Sequence, residues 1–370
     1  MKISVYSPTI RRKEMDAVLS ALVEDKIGPG EQAKFLIQTA REKIKFDYCL
    51  ALRSPAIALQ LAIKSIGEEK GKGVLISAFS PFYYATVIED LGLVPVYCDI
   101  APSTACISRE TVEKALASRP EGLDIRCIVV HHTLGYLPET EAIVELGYPV
   151  IEDCSQSYGS SAASEVSEGS AITANAVTAG SAAFAGSAAS TGSVASYGSI
   201  TILGLEERDM LTSGGGALLY SMTRRDSAAL RAYGDLPPEY GLPDMNAAMA
   251  VVQFREAAKN LLKRREIARL YAQSAMRTRH KGFVQPGDIE YNNYAFPLIL
   301  ETGVKEVKAY ARKKDIAVEN AFDNTLAVTL KSEQCPEAYS LSLRTVLFPI
   351  YPRLSLADAG KVAKLILTLP

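Results

Sequence analysis

The sequence predicts an α/β fold in which a large, mostly parallel sheet with helices on both faces is followed by a smaller C-terminal α/β domain. Apolar runs of strand length alternate with segments of helical period, which is typical of parallel sheets covered by helices. The length of 370 residues suits two domains with a sizeable core. We therefore assign 1–250 to a large domain with a Ser/Ala/Gly-rich insert at about 159–199, and 251–370 to a linking helix and the small domain.

The elements of both domains follow from local patterns. Short apolar runs that end at turn residues predict strands at 74–78, 94–98, 127–131, 148–152, 199–203 and 217–221. Crossover helices are predicted between the first four strands, at 85–91, 108–117 and 139–145. Residues 244–275 predict a long helix capped by Asp244. The small domain is predicted to contain a strand at 294–300, helices at 304–313 and 355–366, and a short strand between these two helices.

Composition narrows the class of protein. The formal net charge is -2, and the chain has no basic region of the kind that binds nucleic acid or an anionic membrane. The six cysteines show no CxxC spacing, which favours reduced thiols and predicts neither a disulfide framework nor a metal site. The first residues lack the apolar core of a signal peptide, and no apolar run is long enough to span a membrane. We expect a cytoplasmic protein that binds small molecules or other proteins.

An ordered set of short motifs runs along most of the chain. The motifs are Ile-Gly-Pro-Gly at 27–30, Tyr-Tyr-Ala-Thr at 83–86, Val-Pro-Val-Tyr-Cys-Asp at 94–99, His-Thr-Leu-Gly at 132–135, Val-Ile-Glu-Asp-Cys-Ser-Gln at 150–156 and Gly-Gly-Gly-Ala at 214–217. In this order the chain resembles the DegT/DnrJ/StrS-like sugar aminotransferases, which are fold-type I pyridoxal phosphate enzymes. The resemblance implies a fold-type I aminotransferase-like architecture for nearly the whole chain.

The resemblance also implies a lysine that forms a Schiff base with the cofactor and later moves a proton. Counting from neighbouring motifs puts this lysine at Arg208 or at Asp209, and no lysine occurs between Lys114 and Lys259. An arginine stays protonated and an aspartate cannot form an imine. Some related dehydratases use a histidine there, but the three histidines of this chain lie elsewhere. We therefore expect a family member without transamination chemistry and without a catalytic residue at this position.

Two further segments depart from the family pattern. Where the family holds the cofactor phosphate at a helix start, this chain has Arg53, Ser54 and Pro55. Proline has no N–H, so we interpret Ser54 as an N-cap and Pro55 as the first helical residue, while Arg53 could still attract an anion. In the segment that reaches across the family's dimer interface, Glu239 and Gly241 replace a polar Asn-x-Arg pair. A carboxylate there would repel a phosphate.

Three residues match the family's cofactor contacts. The resemblance implies that Asp153 pairs with the pyridine nitrogen, that Gln156 touches the edge of the ring and that Tyr83 stacks on its face. Each also has an ordinary structural explanation, as a turn former or a core aromatic. We interpret these residues, with Ser54 and Arg53, as vestigial. His131 and His132 are expected to be satisfied structural histidines.

The segment from 159 to 204 is dominated by Ser, Ala, Gly and Thr, and Gly-Ser pairs recur every six residues at 180, 186, 192 and 198. Such a period predicts short ordered strands, and a flexible linker is the alternative.

Three hypotheses for the function remain open. The preferred one is a degenerate relative of nucleotide-sugar aminotransferases that binds a nucleotide-sugar-like ligand or accompanies an active paralogue, as a homodimer or heteromer, in sugar or polysaccharide biosynthesis. Under this hypothesis we expect no cofactor, although the resemblance makes pyridoxal phosphate possible. The second is a pyridoxal phosphate enzyme that acts on a keto sugar with cofactor held noncovalently. The third is a structural assembly subunit.

Overall fold

The structure is a computed structural model, and it describes residues 2–67, 69–162, 197–284 and 289–370. The helices of these ranges are α1 (Arg12–Val23), α2 (Glu31–Ile44), α3 (Pro55–Ile66), α4 (Tyr83–Asp90), α5 (Arg109–Ser118), α6 (Thr140–Val144), α7 (Arg224–Arg231), α8 (Asp244–Ala275), α9 (Val304–Arg312), α10 (Pro336–Arg344) and α11 (Leu356–Leu367). The strands are β1 (Tyr48–Leu52), β2 (Gly73–Ser77), β3 (Val94–Cys98), β4 (Ile125–His131), β5 (Val150–Asp153), β6 (Ser161–Ala162), β7 (Ile200–Gly204), β8 (Ala217–Ser221), β9 (Ile289–Glu290), β10 (Phe296–Ile299), β11 (Glu319–Asn320) and β12 (Thr345–Phe348).

The large sheet has seven strands in the order β1-β8-β7-β5-β4-β2-β3. The five strands from β7 to β3 are parallel, and β8 runs antiparallel between β7 and β1. Successive residues of β2 and β4 belong to two different core clusters, one on each face of the sheet. This double burial explains why these strands are continuous apolar runs, and it confirms the predicted helices on both faces.

The C-terminal part has its own antiparallel sheet in the order β10-β12-β11. Residues of α8, α9 and α11 pack with this sheet in one apolar cluster. Helix α8 spans 32 residues and therefore extends from the large sheet to this second core, because its first half packs with β7 and β8 instead.

The predicted elements are observed with small differences at their ends and one difference in a cap, but α1, β1, α7 and α10 were not predicted from the sequence. Strand β5 begins at Val150 rather than at 148, because Pro149 has no N–H for the ladder. The prediction that Asp244 caps its own helix is wrong. Pro243 is the N-cap of α8, and Asp244 instead accepts the backbone N–H of Ala33, in the first turn of α2, at 3.0 Å.

The six-residue repeat lies almost entirely at 163–196, outside the described residues. The described residues on both sides of this repeat are held by hydrogen bonds to the rest of the protein. β6 pairs antiparallel with β9. On the returning side, the backbone N–H groups of Tyr197 and Gly198 each donate to Oε2 of the buried Glu152 at 2.7 Å. Within the described ranges, no helix combines the length and the apolar character needed to cross a bilayer.

Candidate functional site

The candidate site lies at the carboxyl end of the parallel strands, where open α/β sheets usually bind ligands. His131 and Asp153 are the last residues of the neighbouring strands β4 and β5. Tyr83 and Tyr84 start α4, which follows β2. Because parallel strands end at the same edge, side chains that are far apart in sequence meet here.

Asp153 is buried and surrounded by donors. Its Oδ1 accepts the N–H of Ser155 at 2.9 Å and also the Ser155 hydroxyl, and its Oδ2 accepts the Tyr84 hydroxyl at 2.5 Å. The Tyr83 hydroxyl lies 3.5 Å from the same oxygen, and His131 Nδ1 lies 3.7 Å from it. Burial by itself would raise the pKa of Asp153, but His131 and the hydrogen bonds from Ser155 and Tyr84 lower it to about 2. Asp153 is therefore ionised at neutral pH.

Asp209 brings a second carboxyl group to the same place. Its Oδ2 accepts the N–H of Glu206 at 2.8 Å. A Cβ at Gly204 would overlap the Asp209 carboxylate and lie 2.7 Å from Ser155 Oγ, so a glycine is needed where these groups converge. Burial, and then the charge of Asp153, raises the pKa of Asp209 to about 8. The two neighbouring aspartates therefore differ in protonation at neutral pH.

Arg208 turns away from this pair of carboxyl groups. Its Nη1 lies 3.0 Å from Oε2 of Glu319, on β11 of the C-terminal sheet, and its guanidinium lies 5.6 Å from the centre of the Tyr6 ring. Of the two positions that the resemblance gives for the lysine, Asp209 lies beside Asp153 and Arg208 reaches toward the other domain.

In the segment that resembles a phosphate cradle, polar side chains form hydrogen bonds within the protein. Ser54 is the N-cap of α3, with its Oγ accepting the N–H of Ile57 at 3.3 Å, and Pro55 is the first helical residue. This confirms the interpretation of these two residues as a helix start. The Nε of Arg53 donates to the carbonyl of Glu239 at 2.8 Å. The Ser54 hydroxyl and the Arg53 guanidinium thus both have partners inside the chain.

Gln156 also has a structural partner. Its Oε1 accepts the N–H of Leu134 at 2.7 Å, which holds Leu134 in a left-handed conformation with a φ of 54°. The backbone carbonyl of Gln156 accepts from Nδ2 of Asn292 at 2.7 Å, which joins the site to the C-terminal part of the chain.

The two histidines differ in their bonding. His132 has Ser157 Oγ at 2.8 Å from its Nδ1 and Glu152 Oε1 at 3.3 Å from its Nε2, so it is a satisfied structural histidine as predicted. The same prediction is wrong for His131, because its buried Nδ1 has no hydrogen-bond partner within the part of the chain that the structure describes. This nitrogen faces Asp153, and 3.7 Å is too long for a hydrogen bond.

Two residues that contact Asp153, Tyr84 and Ser155, were not predicted from the sequence as site residues. Tyr84 donates the short hydrogen bond to Asp153, whereas sequence reasoning had singled out only its neighbour Tyr83, as a residue that stacks on the cofactor ring. The serine could have been found, since a residue two positions after an aspartate often closes a local turn with it. Nothing in the sequence distinguishes Tyr84 from its neighbour.

Comparison with known proteins identifies the family. The chain belongs to the DegT/DnrJ/EryC1/StrS aminotransferase family, whose model matches residues 8–195 and 212–367. The match is interrupted at 196–211, which includes Arg208 and Asp209. The resemblance seen in the sequence is confirmed.

Among the similar curated proteins is the L-glutamine:2-deoxy-scyllo-inosose aminotransferase of Streptomyces fradiae, 30% identical over 118 residues, which are 31% of this chain and 27% of that one. GDP-perosamine synthase of Escherichia coli O157:H7 is 26% identical over 163 residues, 43% of each chain. The matched region thus covers less than half of either relative.

Solved structures confirm the predicted fold class. The aminotransferase TlmJ from Streptoalloteichus hindustanus matches with a TM-score of 0.79 at 20% identity, over 98% of this chain and 97% of that one. The PLP-form of the protein Spr1654 from Streptococcus pneumoniae matches with a TM-score of 0.81 at 15% identity, over 100% of this chain and 98% of that one. At these identities the likeness concerns the fold alone.

The family implies pyridoxal phosphate, and its fit can be judged from the residues present. Asp209 offers a carboxyl group where a primary amine would be required, and Ser54 and Arg53 are bonded within the protein. Both carboxylate oxygens of Asp153 already have donors. The site therefore does not fit a covalently held pyridoxal phosphate.

Proposed function

We propose that this protein is a catalytically degenerate member of the sugar aminotransferase family, which binds a nucleotide-sugar-like ligand in the family's former active site. The observation that carries the proposal is the carboxyl group of Asp209 beside Asp153. A carboxyl group cannot form an imine, and Arg208 is both permanently charged and paired with Glu319. Cofactor chemistry that needs an internal amine has no residue to perform it.

The carbohydrate ligand class is supported by the relatives. The names of the similar curated proteins specify an inosose and GDP-perosamine, which are a cyclitol ketone and a nucleotide-linked amino sugar. The tyrosine-rich surroundings of Asp153 suit such ligands, because tyrosines provide both apolar ring faces and hydroxyl groups. Function within a family varies with the site, so this ligand class is part of the proposal.

One observation favours the second candidate, an aminotransferase with noncovalently held pyridoxal phosphate. Asp153, with its pKa lowered to about 2, is an ionised carboxylate that could pair with a protonated pyridine nitrogen. This candidate needs the carboxylate to exchange its bond from Tyr84 for one from the ring.

The test is incubation of the purified protein with pyridoxal phosphate, followed by borohydride reduction, gel filtration and intact-mass measurement. The wild type is expected to keep no absorbing, reduction-stable adduct, because the site has no amine to trap. Asp209→Lys is the matched variant, since it restores an amine beside Asp153. A wild-type adduct of one phosphopyridoxyl mass at this site would overturn the proposal. Cofactor that is retained without reduction and lost in Asp153→Ala would favour the second candidate.

We also propose that the protein acts with a partner, either a second copy of itself or an active paralogue. Support comes from α1, which exposes Met15, Leu19 and Val23 at 57%, 58% and 75%, because exposed apolar groups on one helix commonly mark an interface. Leu19→Glu is expected to reduce the mass of the assembly in size-exclusion chromatography with light scattering. The control is Leu367→Glu on α11, and an unchanged mass for Leu19→Glu speaks against this surface.

A further inference from the structure

A groove on the outer face of α8 carries more positive than negative charge. The α8 groove has a volume of about 550 Å³ and is lined by Arg11, Lys259, Leu262, Lys263, Glu266 and Pro352. Its volume is in the range of small-molecule sites. We propose that the α8 groove binds an organic phosphate, with the phosphate group at Arg11 and Lys259 and the ring of the ligand against Leu262.

Three segments of the chain form the α8 groove. The four lining residues of α8 lie at positions i, i+3, i+4 and i+7, so they share one face of the helix. Arg11 is the N-cap of α1, and Pro352 lies beyond the end of β12. A ligand in the groove therefore contacts the start of α1, the middle of α8 and the segment after β12 together.

The α8 groove is separate from the candidate site. Arg264 lies on another face of α8, where it is buried and its Nη1 donates to the carbonyls of Tyr294 and Ile350 at 3.0 Å each. None of the lining residues contacts Asp153 or Asp209 in the part of the chain that the structure describes. The inference therefore does not depend on the proposed function.

Two cations in the groove are available for an anion. Glu266 is the one carboxylate among the described lining residues, and its Oε2 lies 2.7 Å from Nζ of Lys263. Arg11 and Lys259 form no ion pair with a carboxylate within the described ranges. Both therefore keep their full charge for a ligand, and charge-assisted hydrogen bonds to a phosphate are stronger than those between neutral groups.

Glu256, next to the groove, does not balance this charge. Its Oε1 lies 2.5 Å from Nζ of Lys13. The hydrogen bond from Lys13 is the largest cause of the lowered pKa of Glu256, and the charges of Lys259 and Arg11 lower it further. One carboxylate thus lies in the field of three cations. The positive end of the α1 macrodipole, at the N-cap Arg11, adds to this field, which favours a bound anion.

The apolar part of the lining favours an organic anion over an inorganic one. Leu262 is 47% exposed, although its neighbours on this face of α8 are charged. A sugar or nucleobase ring placed against Leu262 would remove apolar surface from water. The ligand class is therefore a phosphate ester that carries a ring, either a sugar phosphate or a nucleoside phosphate.

The experiment is calorimetric titration with UDP and with glucose 1-phosphate, each compared with its uncharged parent, uridine or glucose. In about 0.1 M KCl, long-range attraction between exposed charges is largely screened. The wild type is expected to bind at least one of the two phosphates about tenfold more tightly than its parent. Arg11→Gln combined with Lys259→Gln should weaken this binding by about tenfold. The control is Lys305→Gln with Arg312→Gln, which removes the same two charges from exposed positions of α9 and should bind as the wild type.

Leu262→Ser tests the contact with the ring. This variant should bind the organic phosphate about threefold more weakly than the wild type, because less apolar surface is buried. Its affinity for pyrophosphate, which has no ring, should be unchanged. An unchanged affinity for the organic phosphate would overturn the inference.

Binding of neither phosphate, or equal binding of each phosphate and its parent, would also overturn it. Binding that survives in the double variant of Arg11 and Lys259 would do the same, because the ligand would then be bound elsewhere. Should this double variant fail to fold, as judged by circular dichroism, Lys259→Gln alone decides, because Lys259 is exposed. An unchanged affinity in that variant overturns the inference. The proposed function is unaffected by these outcomes, since its borohydride test does not involve the α8 groove.

Discussion

Two aspartates that lie close together in this site have pKa values that are shifted in opposite directions. The pKa of Asp153 is lowered to about 2 because its donors outweigh its burial, whereas burial, and then the charge of Asp153, raises the pKa of Asp209 to about 8. Such divergence between neighbouring carboxyl groups is a frequent property of functional sites, since environment rather than residue type sets the protonation state. Residue chemistry alone predicted that Asp209 cannot form an imine, but its protonation state depends on contacts that the sequence does not display.

The raised pKa of Asp209 makes a prediction about stability. The folded protein keeps this proton up to about pH 8, while the unfolded chain loses it near the ordinary aspartate pKa of 3.8. Stability contributed by the bound proton is therefore complete below that value and is lost as the pH rises through 8. Asp209→Asn removes the titration, so its free energy of unfolding relative to the wild type should increase by up to about 4 kcal/mol between pH 5 and pH 8. Urea unfolding at both pH values measures this.

Glu207→Gln is the control for that comparison, because Glu207 is an exposed residue of the same loop. It should follow the pH dependence of the wild type. Parallel curves for Asp209→Asn and the wild type would mean that the carboxyl group titrates normally.

At the scale of elements, periodicity predicted nearly every strand and helix of the parallel sheet, because burial on both faces leaves apolar runs that are visible locally. The caps were less predictable. Ser54 caps the helix that follows it, as expected, whereas Asp244 caps α2 from a distance in sequence. A short polar side chain at a helix start predicts a cap, but not which helix receives it.

Helix α10 is another helix capped from a distance. Its N-cap residue, Cys335, makes no side-chain cap, and the carboxylate of Asp99 instead accepts the N–H groups of Glu337 and Ala338 at 2.9 Å each. Asp99→Ala should lower the free energy of unfolding by about 1 to 2 kcal/mol in urea denaturation, as loss of a cap does. Asp124→Ala, which removes an exposed ion pair with Lys72, is the control and should cost less than about 1 kcal/mol. Equal losses for the two variants would show that the Asp99 carboxylate does not act as a cap.

At the scale of the molecule, the site depends on contacts between the two parts of the chain. Asn292 is fully buried and donates to the carbonyls of Gln156 and Tyr158 at 2.7 and 3.1 Å. Arg208 pairs with Glu319 across the same boundary. The proposed assignment of 1–250 and 251–370 to two domains thus describes units that share the surroundings of one site, and changes in their packing would alter the positions of the residues in the candidate site.

The sequence by itself determined the fold class, the family, the order of the elements and the absence of a lysine between Lys114 and Lys259. These follow from local periodicity and from motif order, which a linear chain records directly. The tertiary structure decided that Asp209 rather than Arg208 lies beside Asp153, that Tyr84 supplies the short bond, and that the Nδ1 of His131 has no hydrogen bond to any described residue. Those facts depend on which side chains come into contact at the edge of a sheet, and long-range packing determines these contacts. The low dielectric of the interior then determines how strongly the side chains interact.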